Sequence, residues 1–207
     1  GVGQSARRKE DDALVRGRGR YTDDHAPAPA MHALMLRSPH AHAKFKIDAT
    51  QARALPGVAL ILTADDIKDL GGLPCLFNLP DNPFTAPPYP ILAQGEVRHV
   101  GDAIAFVVAD TLAHARDAIE AVAVEWTPLP AVVGAANAVK KGAPAVWPQF
   151  PDNVLFDVGI GDKAAAEAAF ANADAVAEIS IVNPRIVTNY METRAAVCEY
   201  DAKRDHL

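Results

Sequence analysis

No apolar run in the 207-residue sequence approaches the roughly 18 consecutive residues that a membrane-spanning helix requires, and no signal-like apolar segment follows the first residues. A membrane span is therefore not expected. Cysteine is scarce: Cys75 and Cys198 lie far apart and in no metal-like spacing, which argues against a disulfide framework or a zinc site and for a reducing, cytoplasmic setting. A surplus of positive charge is missing as well. At a net charge of -6 the chain lacks the Lys and Arg excess that neutralises phosphates, so no nucleic-acid partner is expected. What remains, 50% hydrophobic and 22% charged, is an ordinary globular composition that can build a core in one or two domains.

The clearest structural signal spans residues 101–126. Ala103-Ile-Ala-Phe-Val-Val-Ala109 is a continuous apolar run of strand length whose β-branched and aromatic content suits a strand buried on both faces. Asp110 and Thr111 offer side-chain oxygens to cap a helix, in which Leu112, Ala115, Ile119 and Val122 form one apolar stripe. A second strand at 121–126 ends at Thr127-Pro-Leu-Pro130, which predicts a compact β-α-β unit.

Ahead of this unit, residues 1–20 read as a solvated arm held to a neighbouring surface by ion pairs. After a turn at Tyr21-Thr-Asp-Asp24, strands are predicted at 31–37 and 43–47, with His40 and His42 packing at the junction; a metal would need a third ligand of matching type, and none is nearby. Asp48 caps a helix at 49–55, Pro56-Gly57 ends it, and a strand follows at 58–62. Thr63-Ala-Asp-Asp66 has capping-box form. Six prolines between residues 72 and 90 rule out regular structure there and predict a long loop docked through its apolar side chains. Residues 131–152 read as a linker over the first domain. Gly159-Ile-Gly161 with Asp162 reads as a turn and cap for a helix at 163–173, since no full phosphate-loop glycine pattern accompanies it. Alternating strands are predicted at 176–182 and 195–200, and the second has barely begun before Leu207, which leads us to expect the front part of a longer polypeptide.

Eight short motifs occur in register: Gly17-Arg-Gly-Arg-Tyr-Thr-Asp-Asp24, Arg37-Ser-Pro-His-Ala-His-Ala43, Leu55-Pro-Gly-Val58, Thr63-Ala-Asp-Asp66, Val100-Gly-Asp-Ala-Ile-Ala-Phe-Val-Val-Ala-Asp110, Leu129-Pro-Ala-Val132, Met191-Glu-Thr-Arg194 and Glu199-Tyr-Asp201. Together they closely resemble the molybdopterin-binding large subunit of the molybdenum hydroxylases, the family of xanthine dehydrogenase, aldehyde oxidase and carbon monoxide dehydrogenase. The resemblance implies an α+β fold: an N-terminal arm (1–20), an α/β hammerhead domain of mixed sheet and short helices (21–130), a linker (131–152), and the start of a molybdopterin-binding α+β domain (153–207).

It also implies a function, oxidative hydroxylation of an aldehyde, an N-heterocycle or carbon monoxide at a molybdenum-molybdopterin centre. Iron-sulfur and FAD partner subunits or domains would carry the electrons away. In the family the glycine-rich cofactor segments and the glutamate base lie downstream of the matched region, so no catalytic residue and no protein metal ligand is expected in this chain. Tyr190, Met191, Glu192 and Arg194, in a loop between the two predicted C-terminal strands, are expected to bind the cofactor or line its pocket. An ion pair between Glu192 and Arg194 is the structural alternative. Thr193 departs from the family's Met-Glu-Pro-Arg pattern. The competing reading of the whole chain is a non-catalytic scaffold or subunit-interaction domain with the hammerhead fold.

Overall fold

The computed structural model describes residues 2–76, 86–183, 186–190 and 192–207. Two compact units are formed, one by Gly1–Ala30 together with Ala173–Leu207, the other by Met31–Asn172. The chain begins with α1 (Asp11–Val15) and a 3-10 helix (Thr22–His25), both in the first unit. The second unit then runs β1 (His32–Arg37), β2 (Ala43–Asp48), α2 (Thr50–Arg53), β3 (Val58–Thr63) and a 3-10 helix (Ala64–Leu70). It continues through β4 (Gly72–Leu73), β5 (Tyr89–Pro90), β6 (Glu96–Val97), β7 (Ala103–Ala109), α3 (Leu112–Ala121), β8 (Ala123–Pro128), α4 (Ala135–Ala138) and α5 (Lys163–Ala171).

Two three-stranded sheets organise residues 31–172, in the orders β1-β7-β3 and β6-β2-β8, and every ladder among the described residues is antiparallel. The apolar run at 103–109 is the central strand its composition predicts. Ala105 and Val107 point into a cluster with Ala49, Ala52, Ile61, Ala118 and Val122, while Ile104 joins Ala43, Phe45, Ala93 and Val97 on the other face. Val107 and Ile104 are fully buried, and each such side chain stabilises the fold by about 1.5–3 kcal/mol relative to exposure.

The strand-helix-strand order of 101–126 is present, but it is not a single-sheet β-α-β unit. Both edges of β7 are taken by β1 and β3, so the chain leaving α3 has no edge to join there and β8 pairs with β2 in the other sheet. Of the expected α3 stripe, Ala115, Ile119 and Val122 meet the core and Leu112 does not. Ala115 and Ala118 are the buried residues of the helix, because small side chains let it lie close to the sheet, whereas Ile119 flanks the cluster and Leu112 is 37% exposed. Thr111 caps α3 by accepting from His114 N at 3.1 Å.

Several of the sequence motifs act as fasteners. Ser38, buried, exchanges hydrogen bonds between its hydroxyl and the His40 backbone at 3.0 Å, and its own backbone joins Gly101 and Asp102 at 2.8 Å, so the Arg-Ser-Pro-His turn is tied to the Val-Gly-Asp turn. Gly57 has φ +78, and a Cβ there would lie 2.2 Å from His114 Nδ1, against the ion pair that His114 makes with Asp110. The capping box forms as its spacing predicts: Asp66 Oδ2 accepts from Thr63 N and Thr63 Oγ1, both at 2.8 Å, and receives Arg53 at 2.7 Å.

Other expectations need adjustment. The helix predicted at 49–55 is the single turn α2, whose N-cap position is Ala49; Asp48, the expected cap, lies one residue ahead of it and accepts from Thr50 N at 2.9 Å. Within the proline-rich stretch, β4 and β5 pair, and Leu73, Leu76 and Tyr89 are exposed; residues 77–85, where docking was expected, lie outside the described residues. Residues 131–152 carry one short helix, α4, and Asn153 pins them through its amide to the carbonyls of Ala138 and Pro144. Asp162 caps α5 through Ala165 N at 2.9 Å, the plain cap expected behind Gly161.

In the first unit, the ion pairs of the arm are internal: Asp12 receives Arg16 at 2.7 Å and Arg18 at 3.3 Å. The strands predicted at 176–182 and 195–200 are absent. A strand needs a partner for its backbone groups, and no described residue supplies a ladder to either segment; Ile179, Ile181 and Val182 are accordingly exposed. Beyond them a single bridge, Asp201 to His206, closes the final turn.

Candidate functional site

The Tyr-Thr-Asp-Asp segment folds into a stiff turn because its own side chains satisfy it. Asp24 Oδ2 accepts from Tyr21 N at 2.8 Å, Asp24 N donates to Tyr21 O at 2.9 Å, and Arg20 donates to Asp24 O at 3.1 Å. Thr22 leads the 3-10 helix, where an N–H has no partner within the helix. Glu192 supplies the acceptor. Its Oε1 accepts from Thr22 N at 2.8 Å and from Thr22 Oγ1 at 2.7 Å, across 170 positions of sequence. These two bonds hold the Glu192 carboxyl below the ordinary carboxylate range; Asp24 opposes the shift and His25 assists it.

A cavity of about 240 Å³ opens beside this contact, lined by Tyr21, Thr22, Asp23, Asp24, Glu192, Thr193 and Ala195. It falls short of the roughly 300–1,000 Å³ typical of pockets that enclose a whole ligand, so it could hold one edge of a larger molecule. Its lining is rich in carboxylate and hydroxyl oxygens, which suits an edge presenting N–H donors, as a pterin ring does. Among the described residues no group of three or more His, Cys, Asp or Glu side chains could hold a metal ion.

Of the four residues expected at the site, Glu192 lines the cavity and is half-buried, whereas Tyr190 and Arg194 are exposed and do not line it; Met191 lies outside the described residues. Glu192 meets Thr22 and not Arg194. Thr22 was not singled out from the sequence as a site residue. Its only signal there is its place in the Gly-Arg-Gly-Arg-Tyr-Thr-Asp-Asp motif.

A second polar cluster lies within residues 31–172. His42 bonds the Pro130 carbonyl through Nδ1 at 2.8 Å and Glu96 through Nε2 at 3.1 Å, and Arg98 pairs with Glu96 at 2.9 Å while stacking 3.8 Å over the Trp147 ring. His40 rests on Trp126 at 4.9 Å between ring centroids. Both histidines therefore pack at the junction as the turn reading expects. Glu96, Arg98 and Trp147 also border a cavity of about 320 Å³ with Lys68, Pro88 and Pro90.

The profile described as "Aldehyde oxidase and xanthine dehydrogenase, a/b hammerhead domain" matches residues 16–130, more than half of the chain. The chain belongs to that family. A second profile, "Molybdopterin cofactor-binding domain", matches residues 146–207. The carbon monoxide dehydrogenase large chain of Hydrogenophaga pseudoflava is 34% identical over 96% of this chain and 26% of its own length. Among solved structures, quinoline 2-oxidoreductase from Pseudomonas putida 86 is similar over 69% of this chain and 18% of its own, with 40% identity and a TM-score of 0.61. The aldehyde oxidoreductase of Desulfovibrio gigas is similar over 81% of this chain and 19% of its own, with 33% identity and a TM-score of 0.65. The chain thus spans about a quarter or less of the length of these relatives.

Proposed function

We propose that this chain is the N-terminal portion of the large subunit of a molybdopterin-dependent oxidoreductase that oxidises an aldehyde, an N-heterocycle or carbon monoxide. The observation that carries the reading is the order of the two profile matches, hammerhead first and cofactor-binding second, over nearly the whole chain. In this reading residues 21–130 are the hammerhead domain, 131–152 the linker and 153–207 the start of the cofactor region. Of the residues expected at the site, Glu192, which lines the cavity beside Thr22, borders the cofactor in this reading. The bound molybdenum-pterin group supplies the redox chemistry, and protein groups orient it. Iron-sulfur and FAD subunits or domains accept the electrons, and the complex is cytoplasmic. No helix among the described residues is long and apolar enough to cross a membrane.

The test is to express the complete gene product and, separately, the 207-residue chain, and to measure molybdenum content and dye-linked oxidation of an aldehyde, quinoline and carbon monoxide. The complete product is expected to carry molybdenum and oxidise one of the three, and the 207-residue chain to do neither. A complete product without molybdenum would favour the scaffold reading.

A further inference from the structure

The segment around Glu192 has little to hold it. Among the described residues of 186–195, the backbone makes one internal bond, Tyr190 N to Thr188 O at 3.1 Å, and the hydrogen bonds that tie the segment to any other part of the chain are the two from Thr22. Those donors are aimed in advance. The turn that carries Thr22 is closed by Asp24 on Tyr21 and by Arg20 on the Asp24 carbonyl, so its N–H and hydroxyl converge on one oxygen without further ordering.

We propose that Thr22 is a positioning residue for the cofactor edge of the site: by donating its N–H and its hydroxyl to Glu192 Oε1, it fixes the placement of residues 192–194. The inference rests on the molybdopterin reading above. Its consequence is a division of labour within the loop. Glu192 acts through the loop geometry that its carboxylate anchors, and it is Thr22, far upstream, that sets that geometry. A group behind the contacting residues that orients them typically changes affinity or activity by about 10–100-fold when it is removed.

In the full-length enzyme, Thr22→Val removes the hydroxyl donor at nearly constant shape, and Thr22→Ser retains it. Three quantities decide the matter: amide hydrogen exchange across residues 186–195, molybdenum per folded molecule, and KM separately from kcat. For Thr22→Val we expect exchange in that segment to quicken and either molybdenum occupancy to fall or KM to rise by about 10-fold or more. Thr22→Ser should restore wild-type values, and Thr22→Val combined with Glu192→Gln should be no worse than the more damaging single change. A Thr22→Val enzyme with a lowered melting temperature but wild-type exchange, molybdenum and KM would overturn the proposal, leaving Thr22 only a fold-stabilising role. A wild-type enzyme devoid of molybdenum would instead overturn the cofactor reading on which the proposal depends.

Discussion

A threonine-carboxylate clamp of the same form occurs in both units. Asp66 Oδ2 takes the N–H and hydroxyl of Thr63 at 2.8 Å each, and Glu192 Oε1 takes those of Thr22 at 2.8 and 2.7 Å. Both carboxyls are held below their ordinary range, in each case first by the backbone N–H and then by the hydroxyl. The difference lies in what each clamp closes. The first joins residues three apart beside a sheet that already buries Ile61; the second joins residues 170 apart in a unit where Val176, Ile179, Ile181, Val182, Ile186 and Val187 are exposed. A local clamp trims a turn that packing has placed, whereas a distant one must itself restrain a long loop, a term that grows only slowly with loop length.

The sharpest way to break this contrast is to put charge into each unit. Val107→Asp buries an unpaired carboxylate in the cluster of Ala49, Ile61 and Ala118 and should cost about 3–5 kcal/mol, while Ile181→Asp, on a residue 76% exposed, should change stability by about 0.5 kcal/mol or less in urea titrations. Equal midpoints would mean that the C-terminal segment is packed as firmly as the sheet. Next comes Gly57→Ala. At φ +78 the new methyl would displace the Asp110–His114 pair, and a loss of more than about 1 kcal/mol is expected, concentrated in residues 31–172.

Asp66→Ala tests the local clamp by itself. Loss of the acceptor should cost about 1 kcal/mol, discounted for the solvent that reaches Asp66, and exchange at the Thr63 amide should quicken. The smallest effect is that of pH. Because the carboxyls of Asp66 and Glu192 are depressed in the folded chain, their stabilising contribution is complete above their ordinary values of 3.8 and 4.5 and fades as pH falls below them through the folded values. Monitored by exchange, protection should fade on acidification at both clamps. Glu192→Gln should flatten the response at Thr22 and leave that at Thr63 unchanged.

The reach of the sequence follows the same line between local and distant. Thr63 and Asp66 are legible because a capping box has fixed spacing, and strand 103–109 is legible because its apolar run is unbroken. The assignment of β8 to a different sheet from β7 was not legible, since it depends on both β7 edges being occupied by strands far away in sequence. The burial of Ala118 escaped for a related reason: the expected stripe includes Ala115, Ile119 and Val122, which do meet the core, but close approach to the sheet also buries Ala118 and leaves Leu112 exposed. Alternation at 176–182 shows what a strand would look like, but only a partner makes one. Of the candidate site, Glu192 could be named from its motif, and its partner could not, because nothing in either segment alone relates position 22 to position 192.

The strand pairing also dictates an order of assembly during synthesis. Strands β1, β2 and β3 emerge first, yet none of them pairs with another: β1 and β3 both wait for β7, and β2 waits for β6 and β8. At about 5–20 residues per second, the ribosome leaves the early strands without their ladders for several seconds. A nascent chain stalled before Ala103 would hold neither three-stranded sheet, so the apolar faces around Ile61 and Phe45 depend on late-arriving sequence, or on a chaperone, for cover.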